Sequence, residues 1–354
     1  MSWVEELARP DIVALAPYEY AAWRPELERL HANELPWRQP GDATRVGLNR
    51  YPEPQPCALI ERLASLYAVA PDTLLITRGS DEGIDLLVRA FCRPGRDAIL
   101  VCPPTFGMYA VTAAIQGAAV VNVPLRLESG FVLDEAALLT RCTKAVKLVF
   151  LCSPNSPTGN LMSEESVLRI ASQLEGRALL IVDEAYIEFA GVTSLTRHVR
   201  ELPQLTVLRT LSKAHGLAGA RCGSVIATTE VIALLRKVIS PYAVTQLTVE
   251  CALEFLAASN QAASLARVAV IQSERERLAQ KIEKAASVAK VWPSAANFLL
   301  VEFINAGAAQ EALNRAGAAG LLIRDVRRQP GLERALRISI GTPDQNDRLL
   351  EALR

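Results

Sequence analysis

Short apolar runs alternate with amphipathic segments along the central part of the chain. Continuous apolar runs typical of buried strands lie at 74–77, 97–102, 119–123, 146–152, 179–183, 205–209 and 223–227. Helical patterns lie between several of these runs, at 81–93, 107–116, 134–141 and 163–174. Continuous apolar strands separated by helices indicate a mainly parallel sheet that is covered on both faces. The pattern therefore predicts an α/β fold with a mainly parallel seven-stranded sheet and helices on both faces.

Beyond residue 229 the pattern changes to long helices followed by a few separated strands. Helical periodicity covers 230–239, 244–289 and 307–318, and strand patterns lie at 297–303, 321–324 and 335–340. The first 40 residues contain five prolines, which is too many for one continuous helix. We expect an N-terminal arm at 1–43 that is part of the small domain, a large cofactor-binding domain at 44–259, and a small C-terminal α+β domain at 260–354.

Composition and charge argue against several classes of function. Lys plus Arg and Asp plus Glu both number 38, so no basic excess favours nucleic acid or a membrane surface. No apolar run reaches the length of a membrane span, and the N-terminus does not resemble a secretory signal. The seven cysteines form no C-x-x-C pair, which is typical of reduced thiols in a cytoplasmic protein. The three histidines are scattered, so we expect no metal site.

Polar and glycine-rich segments follow the predicted strands at the places where parallel sheets bind ligands. The most informative is the stretch around Lys213, with Arg221 eight residues later and Thr210 and Ser212 just before. A desolvated lysine forms covalent bonds to carbonyl compounds, and the arginine and hydroxyls suit a phosphate. Lys213 alone is typical of a solvated surface lysine, so the inference depends on its companions.

Those companions match what pyridoxal phosphate requires from a protein. Asp183, at the end of a buried strand, can keep the pyridine nitrogen protonated. Asn155 and Tyr186 can donate to the phenolic oxygen, and Phe106 can stack on the ring. The segment 79–81 opens a helix whose N–H groups can face an anion. Taken singly, Asp183 also fits a buried structural carboxylate, Asn155 is more typical of a turn, and Phe106 is more typical of a core.

Seven motifs, in order along nearly the whole chain, resemble the fold-type I pyridoxal-phosphate aminotransferases, which have the aspartate aminotransferase-like fold. They are RGSDEGIDLL, PPTFGMY, SPNSPTG, VDEAYIEF, RTLSKAHGLAGARCG, SAANFLLVEF and LRISIG. Within that family, the first, fourth and fifth motifs are similar to those of the histidinol-phosphate aminotransferases. The resemblance implies transamination between L-histidinol phosphate or imidazole-acetol phosphate and glutamate or 2-oxoglutarate, in histidine biosynthesis.

The resemblance also implies roles for individual residues. Lys213 holds the cofactor covalently and moves a proton, and Asp183 and Tyr186 assist it in catalysis. The implied cofactor contacts are Lys213, Asp183, Asn155, Tyr186, Phe106, Ser80, Asp81, Thr210, Ser212, Arg221 and, from the partner subunit, Tyr51. A residue supplied across the interface implies a homodimer.

Substrate contacts follow from the same resemblance. Arg337 grips the anionic end of the substrate, Arg324 assists, and Tyr18 and Asn33 line the pocket from the arm. Two positions depart from the family pattern: Leu35 stands where asparagine is usual, and His215 stands where relatives carry an aromatic or a small residue. These departures concern substrate preference rather than the cofactor.

Four other functions fit parts of the pattern. An aromatic-amino-acid aminotransferase and a phosphothreonine decarboxylase share the fold and the cofactor. A non-catalytic ligand-sensing domain would keep the fold without the reaction, and a cofactor-free Schiff-base lyase would use Lys213 alone. In the favoured interpretation the partners are a small-molecule amino donor, an oxo acceptor and a second subunit, with no nucleic acid and no membrane.

Overall fold

A seven-stranded sheet forms the centre of the protein, in a computed structural model that describes residues 2–24 and 26–353. Its strands are β1 (Leu74–Thr77), β2 (Ala98–Val101), β3 (Ala119–Asn122), β4 (Val146–Cys152), β5 (Leu179–Asp183), β6 (Leu205–Thr210) and β7 (Gly223–Ile226). The spatial order is β1-β7-β6-β5-β4-β2-β3, and only β7 runs antiparallel to its neighbours. The predicted mainly parallel, seven-stranded α/β sheet is therefore confirmed.

Helices cover both faces of this sheet, since its strands are apolar on both sides. One face carries α4 (Ser80–Phe91), α5 (Met108–Gln116) and α8 (Thr229–Val238). The other carries α3 (Cys57–Tyr67), α6 (Glu135–Arg141), α7 (Glu164–Leu174) and α9 (Gln246–Phe255). Each face has its own continuous hydrophobic cluster, so the strand positions are held from both sides.

A smaller antiparallel sheet follows in the chain. It contains β8 (Val288–Trp292), β9 (Phe298–Phe303), β10 (Arg324–Asp325) and β11 (Ala335–Ser339), in the order β10-β11-β9-β8. Three helices pack on it: α10 (Ala258–Ile282), α11 (Ala306–Ala318) and α12 (Pro343–Ala352). The predicted helix to residue 289 is wrong at its end, because α10 stops at Ile282 and β8, which the sequence reading missed, begins at Val288. β8 is largely exposed and carries only a weak apolar pattern.

The N-terminal arm begins with two short helices. Helices α1 (Trp3–Leu7) and α2 (Pro10–Ala14) lie on the large sheet, where Val4 and Leu7 join the cluster around α4 and α8. Residues 15–51 contain no helix or strand in their described part. Glu34 organises this segment by pairing with Arg29 at 2.7 Å and Arg50 at 3.0 Å. The domain boundaries at 43 and 260 stay predictions. No helix in the described ranges has the length and apolar character needed to cross a membrane.

The topology gathers several strand ends at one edge of the large sheet. β4, β5 and β6 are parallel neighbours, and Cys152 pairs with Asp183 in the register. α4 begins beside this edge because Gly79, at φ +75°, turns the chain sharply after β1. A Cβ on Gly223 would lie 2.5 Å from the carbonyl carbon of Gly79. Only glycine at 223 therefore lets β7 approach the start of α4 so closely.

Candidate functional site

A cavity of about 140 Å³ lies at this edge. Its lining contains nine residues that the sequence singled out: Ser80, Asp81, Phe106, Asp183, Tyr186, Thr210, Ser212, Lys213 and Arg221. It also contains Cys152, Ala185 and Ala218. The parallel strand ends bring these residues together although they span more than 140 positions of the chain.

Asp183 lies at the floor of the cavity with 3% of its surface exposed. Its Oδ2 accepts a hydrogen bond of 2.8 Å from the Tyr109 hydroxyl, and its Oδ1 accepts one of 3.1 Å from the Ala185 backbone N–H. Burial raises the pKa of Asp183 to about 6, while these two donors favour the ionised form and oppose the rise. Tyr109 is fully buried and orients the carboxylate. The sequence reading missed it, although it stands in the PPTFGMY motif at the first turn of α5.

Lys213 reaches into the cavity from the loop after β6. Its Nζ lies 5.5 Å from the centre of the Tyr186 ring. Partial burial lowers the pKa of the Lys213 amine, and the positive charge of Arg337 acts in the same direction. More of the amine is therefore neutral, and nucleophilic, near neutral pH. Burial raises the pKa of Tyr186 to about 12, so its hydroxyl keeps its proton and can donate it in a hydrogen bond.

The opposite end of the cavity is suited to an anion. Arg221 Nη1 donates to Ser212 Oγ at 3.4 Å, and Arg221 Nη2 pairs with Asp81 Oδ2 at 3.0 Å. A Cβ on Gly79 would lie 2.6 Å from Arg221 Nη2, so the guanidinium lies directly over the glycine. The first N–H groups of α4, the hydroxyls and Arg221 together form a cup of donors. Such a donor set fits a phosphate group.

The loop after β4 holds Asn155 in a network of hydrogen bonds. Its amide nitrogen donates to the Pro104 carbonyl at 2.8 Å and to Thr158 Oγ1 at 2.6 Å, and its oxygen accepts from Thr105 Oγ1 at 2.8 Å. The side chain is fully buried and does not line the cavity. Its expected contact with the phenolic oxygen stays a prediction that this geometry does not favour.

The next residue, Ser156, contacts the small sheet. Ser156 Oγ accepts a hydrogen bond of 2.9 Å from Arg337 Nη1. The Ser156 side chain is also close enough to Tyr186 to act against the burial that raises the Tyr186 pKa. Ser156 therefore lies between Tyr186, in the segment after β5, and Arg337, on the small sheet. The only sequence signal was its place beside Asn155 in SPNSPTG, since a non-repeating loop does not show which side chain turns inward.

The two predicted substrate arginines lie on neighbouring strands of the small sheet. Arg337 on β11 is directly opposite Arg324 on β10. The Arg337 guanidinium lies 5.1 Å from the Phe298 ring centre, and its buried Nε has no hydrogen-bond partner in the described structure. Burial lowers the Arg337 pKa, and the charge of Arg324 adds to that effect. Neither arginine pairs with a carboxylate among the described residues, so together they present uncompensated positive charge.

Three predicted residues lie apart from the cavity within one subunit. Tyr51 stacks on Tyr242 at 4.5 Å, and Asn33 and Tyr51 line a separate cleft. Tyr18 is 64% exposed on the arm. In the described ranges, no group of three or more His, Cys, Asp or Glu side chains is arranged to hold a metal ion.

Comparison of the chain with known protein families identifies one that matches most of its length. The family described as aminotransferase class I and II matches residues 30–353. The chain belongs to this family.

Relatives within the family are similar over nearly the whole length of the chain. A histidinol-phosphate aminotransferase of Stenotrophomonas maltophilia is 49% identical over 98% of this chain and 95% of its own. One of Xylella fastidiosa is 49% identical over 92% of this chain and 88% of its own. The solved histidinol-phosphate aminotransferase of Sinorhizobium meliloti, in complex with pyridoxal-5'-phosphate, is 26% identical, with a TM-score of 0.78 over 86% of this chain and 82% of its own. The predicted family resemblance is confirmed.

The residues of this aminotransferase fit a phosphorylated pyridine. The cup at α4 and Arg221 suits the phosphate, and the buried carboxylate of Asp183 suits a protonated ring nitrogen. Lys213 stands between these two ends with an amine whose pKa is lowered. Phe106, partly exposed to the cavity, provides an aromatic face. The individual roles remain predictions, and the donor set as a whole agrees with them.

Asp183→Asn should stabilise the cofactor-free protein at alkaline pH. The folded-state pKa of about 6 lies above the ordinary 3.8, so the folded state prefers the protonated acid. The contribution of Asp183 to stability is therefore fully present below pH 3.8 and is lost as the pH rises through 6. Its charge then costs up to about 3 kcal/mol at pH 8, and the neutral amide avoids this cost.

Urea unfolding of the cofactor-free variants between pH 4.5 and 8 measures this effect. The advantage of Asp183→Asn should shrink toward pH 4.5. Asp85→Asn, at a partly exposed position of α4, is the matched control and should change stability by less than about 0.5 kcal/mol at every pH. An Asp183→Asn protein that is less stable than the wild type at pH 8 would contradict the assignment of a strained buried carboxylate.

Proposed function

We propose that this protein is a pyridoxal-phosphate-dependent histidinol-phosphate aminotransferase. It transfers the amino group between L-histidinol phosphate and 2-oxoglutarate, giving imidazole-acetol phosphate and glutamate, in histidine biosynthesis. The relatives that share its whole length have this name. The observation that supports the substrate is a second cationic group, Arg324 and Arg337, which has no carboxylate partner in the described structure. Its member Arg337 is close enough to Lys213 to lower the pKa of the lysine amine.

The chain's own groups divide the chemical work. Pyridoxal phosphate, when bound, supplies an electron-withdrawing ring and a carbonyl carbon that accepts the amino group. Lys213, with its lowered pKa, removes the proton from the substrate Cα and returns a proton at the end of the transfer. The Asp183 carboxylate supports a positive charge opposite it, and Tyr109 holds that carboxylate in place. The Tyr186 hydroxyl remains a hydrogen-bond donor.

Two separate anion sites explain how a phosphorylated substrate and a phosphorylated cofactor bind together. The cup at Arg221 belongs to the large sheet, and the Arg324–Arg337 pair belongs to the small sheet. A guanidinium binds either a phosphate or a carboxylate through two parallel hydrogen bonds. The same pair therefore takes the phosphate of histidinol phosphate in one half of the reaction and the side-chain carboxylate of glutamate in the other.

We further propose that the protein is a homodimer. Tyr51, Tyr18 and Asn33 do not reach the cavity of their own subunit, although the family resemblance assigns them to the site. The arm also exposes apolar side chains, with Leu30 92% exposed and Trp37 72% exposed. A second copy that covers this arm would bury the apolar surface and bring Tyr51 to the other cavity.

The location and domain organisation are proposed with the function. All seven cysteines are free, which suits the reducing cytoplasm. The large domain ends near residue 259, where α10 begins the unit built on the small sheet. The binding of small molecules only, without nucleic acid or membrane, follows from the balanced charge.

A substrate panel tests the proposed reaction. Glutamate or histidinol phosphate alone should change the absorption spectrum of the bound cofactor, since each half-reaction needs only one substrate. The kcat/KM for histidinol phosphate should exceed that for phenylalanine by about 100-fold, because phenylalanine leaves the arginine pair without a partner. Lys213→Ala is the control and should abolish turnover. A preference for phenylalanine or threonine phosphate would show that the proposed substrate is wrong. The absence of a spectral change with any amino donor would exclude transamination.

Arg324→Gln tests the proposed phosphate contact. The variant should raise the KM for histidinol phosphate about 10-fold, the loss expected for one exposed charge-assisted contact, with kcat nearly unchanged. Arg328→Gln, at a neighbouring exposed position, is the matched control and should behave like the wild type. Phenylalanine kinetics should be equal in both variants. Equal KM values for histidinol phosphate in the two variants would show that Arg324 does not contact the substrate phosphate.

Mixing two defective variants tests the shared site. Lys213→Ala should be inactive and Tyr51→Ala should be weakened, because each lacks a residue of every site. After subunit exchange, mixed dimers contain one intact site, so activity should reach about a quarter of the wild-type value. Light scattering should give the mass of two chains. A monomeric mass, or a mixture no more active than the average of its components, would contradict the shared dimer.

A further inference from the structure

A buried charged cluster lies on the other side of the backbone from the cavity. It consists of Glu184, Glu188, Arg209 and His215. Each member is one or two positions from a cavity residue, in the pairs Asp183 and Glu184, Tyr186 and Glu188, Thr210 and Arg209, Lys213 and His215. The cluster therefore ties together two of the chain segments that line the cavity, 183–188 and 209–215.

Arg209 is the centre of the cluster. Its Nη2 donates to Glu188 Oε1 at 2.7 Å, and its Nη1 lies 3.6 Å from Glu184 Oε2. The guanidinium stacks 4.6 Å from the Tyr67 ring centre, and its side chain is 7% exposed. Glu184 is anchored in turn by the Leu195 backbone N–H at 2.8 Å. The buried carboxylate of Glu184 and the partly buried carboxylate of Glu188 thus share one guanidinium, which leaves room for a further donor or positive charge.

His215 occupies that place. Its Nε2 lies 3.7 Å from Glu188 Oε1, and its side chain is only 13% exposed. Burial opposes ionisation of Glu188, but His215 and Arg209 outweigh it and hold the Glu188 pKa below its ordinary value. The Glu188 carboxylate is therefore ionised and attracts the imidazole. The contact connects the loop after β6 to the segment after β5.

The same loop carries Lys213. The Gly216 N–H donates to the Lys213 carbonyl at 3.1 Å, which closes a tight turn with Gly216 at φ +69°. Across the two segments, Lys213 faces Tyr186 and His215 faces Glu188, with the same two-residue spacing on each side. The contact between His215 and Glu188 therefore also restrains the turn from which the Lys213 side chain extends.

We propose that His215 is a positioning residue that fastens the Lys213 turn to the Glu188–Arg209 pair and so sets where the Lys213 amine lies in the cavity. The inference rests on the proposed catalytic role of Lys213. It assigns a use to a position where the sequence departs from the family pattern. The turn is otherwise held by its own backbone hydrogen bond, by the Leu217 N–H, which donates to the Leu211 carbonyl at 3.0 Å, and by the packing of Ala214.

His215→Leu removes the contact, and His215→Gln keeps a donor within reach of Glu188. We expect His215→Leu to lower kcat for glutamate about 10-fold, because a small displacement of the reacting amine is costly, with KM within about twofold. His215→Gln should recover most of kcat. Visible circular dichroism of the bound cofactor, measured without substrate, should change in the leucine variant and return toward the wild-type spectrum in the glutamine variant.

His198→Leu is the matched control. His198 also pairs with a glutamate, Glu164, at 2.8 Å, but it lies away from the cavity lining, so its loss should leave kcat and the dichroism unchanged. If His215→Leu folds poorly, Glu188→Gln removes the same contact from the other side. We expect it to show the kinetic and spectral changes that are predicted for His215→Leu.

A wild-type kcat and dichroism in folded His215→Leu, or a loss that His215→Gln does not reduce, would overturn the positioning role. The dichroism needs no substrate and glutamate is the general amino donor. A wild-type enzyme that ignores histidinol phosphate would therefore contradict the proposed substrate while leaving this test intact.

Discussion

The buried carboxylate of Asp183 is the constraint on which the site depends. A charge at the end of β5, with 3% exposure, is unfavourable for folding unless donors compensate for the lost water. Tyr109 and the Ala185 backbone N–H provide part of that compensation. The remaining cost appears as a pKa raised to about 6. The fold therefore keeps an acid in a place where stability alone would favour a neutral side chain, and this is the expected sign of a site maintained for binding a cation.

The rest of the large domain keeps that carboxylate in register with its partners. Three parallel strands end side by side, so Asp183 is level with Cys152 on one side and Leu208 on the other. Gly223 and Gly79 allow β7 and the start of α4 to approach within a distance that no side chain would permit. The anion cup and the carboxylate are thus held by two rigid elements at opposite ends of one cavity.

The small sheet meets the large domain at the loop after β4, where Ser156 contacts Arg337. The hydrogen bond from Arg337 to Ser156 is a direct polar contact between the two sheets beside the cavity. A second contact lies nearby, where the Ala295 N–H donates to the Gly159 carbonyl at 2.8 Å and a Cβ on Gly159 would collide with Ser294. The loop after β4 therefore makes two direct contacts with the segments of the small sheet.

The sequence by itself determined the α/β class, the seven strands and the strand-end residues, because apolar periodicity and strand ends are local signals. The motifs then predicted the family and the cofactor. Only the tertiary structure decided that Ser156 contacts Arg337, that Tyr109 supports Asp183, and that α1 packs on the large sheet. These outcomes depend on contacts between segments distant in the chain. Irregular loops have no period that shows which side chain points inward, and β8 is too exposed to carry a clear pattern.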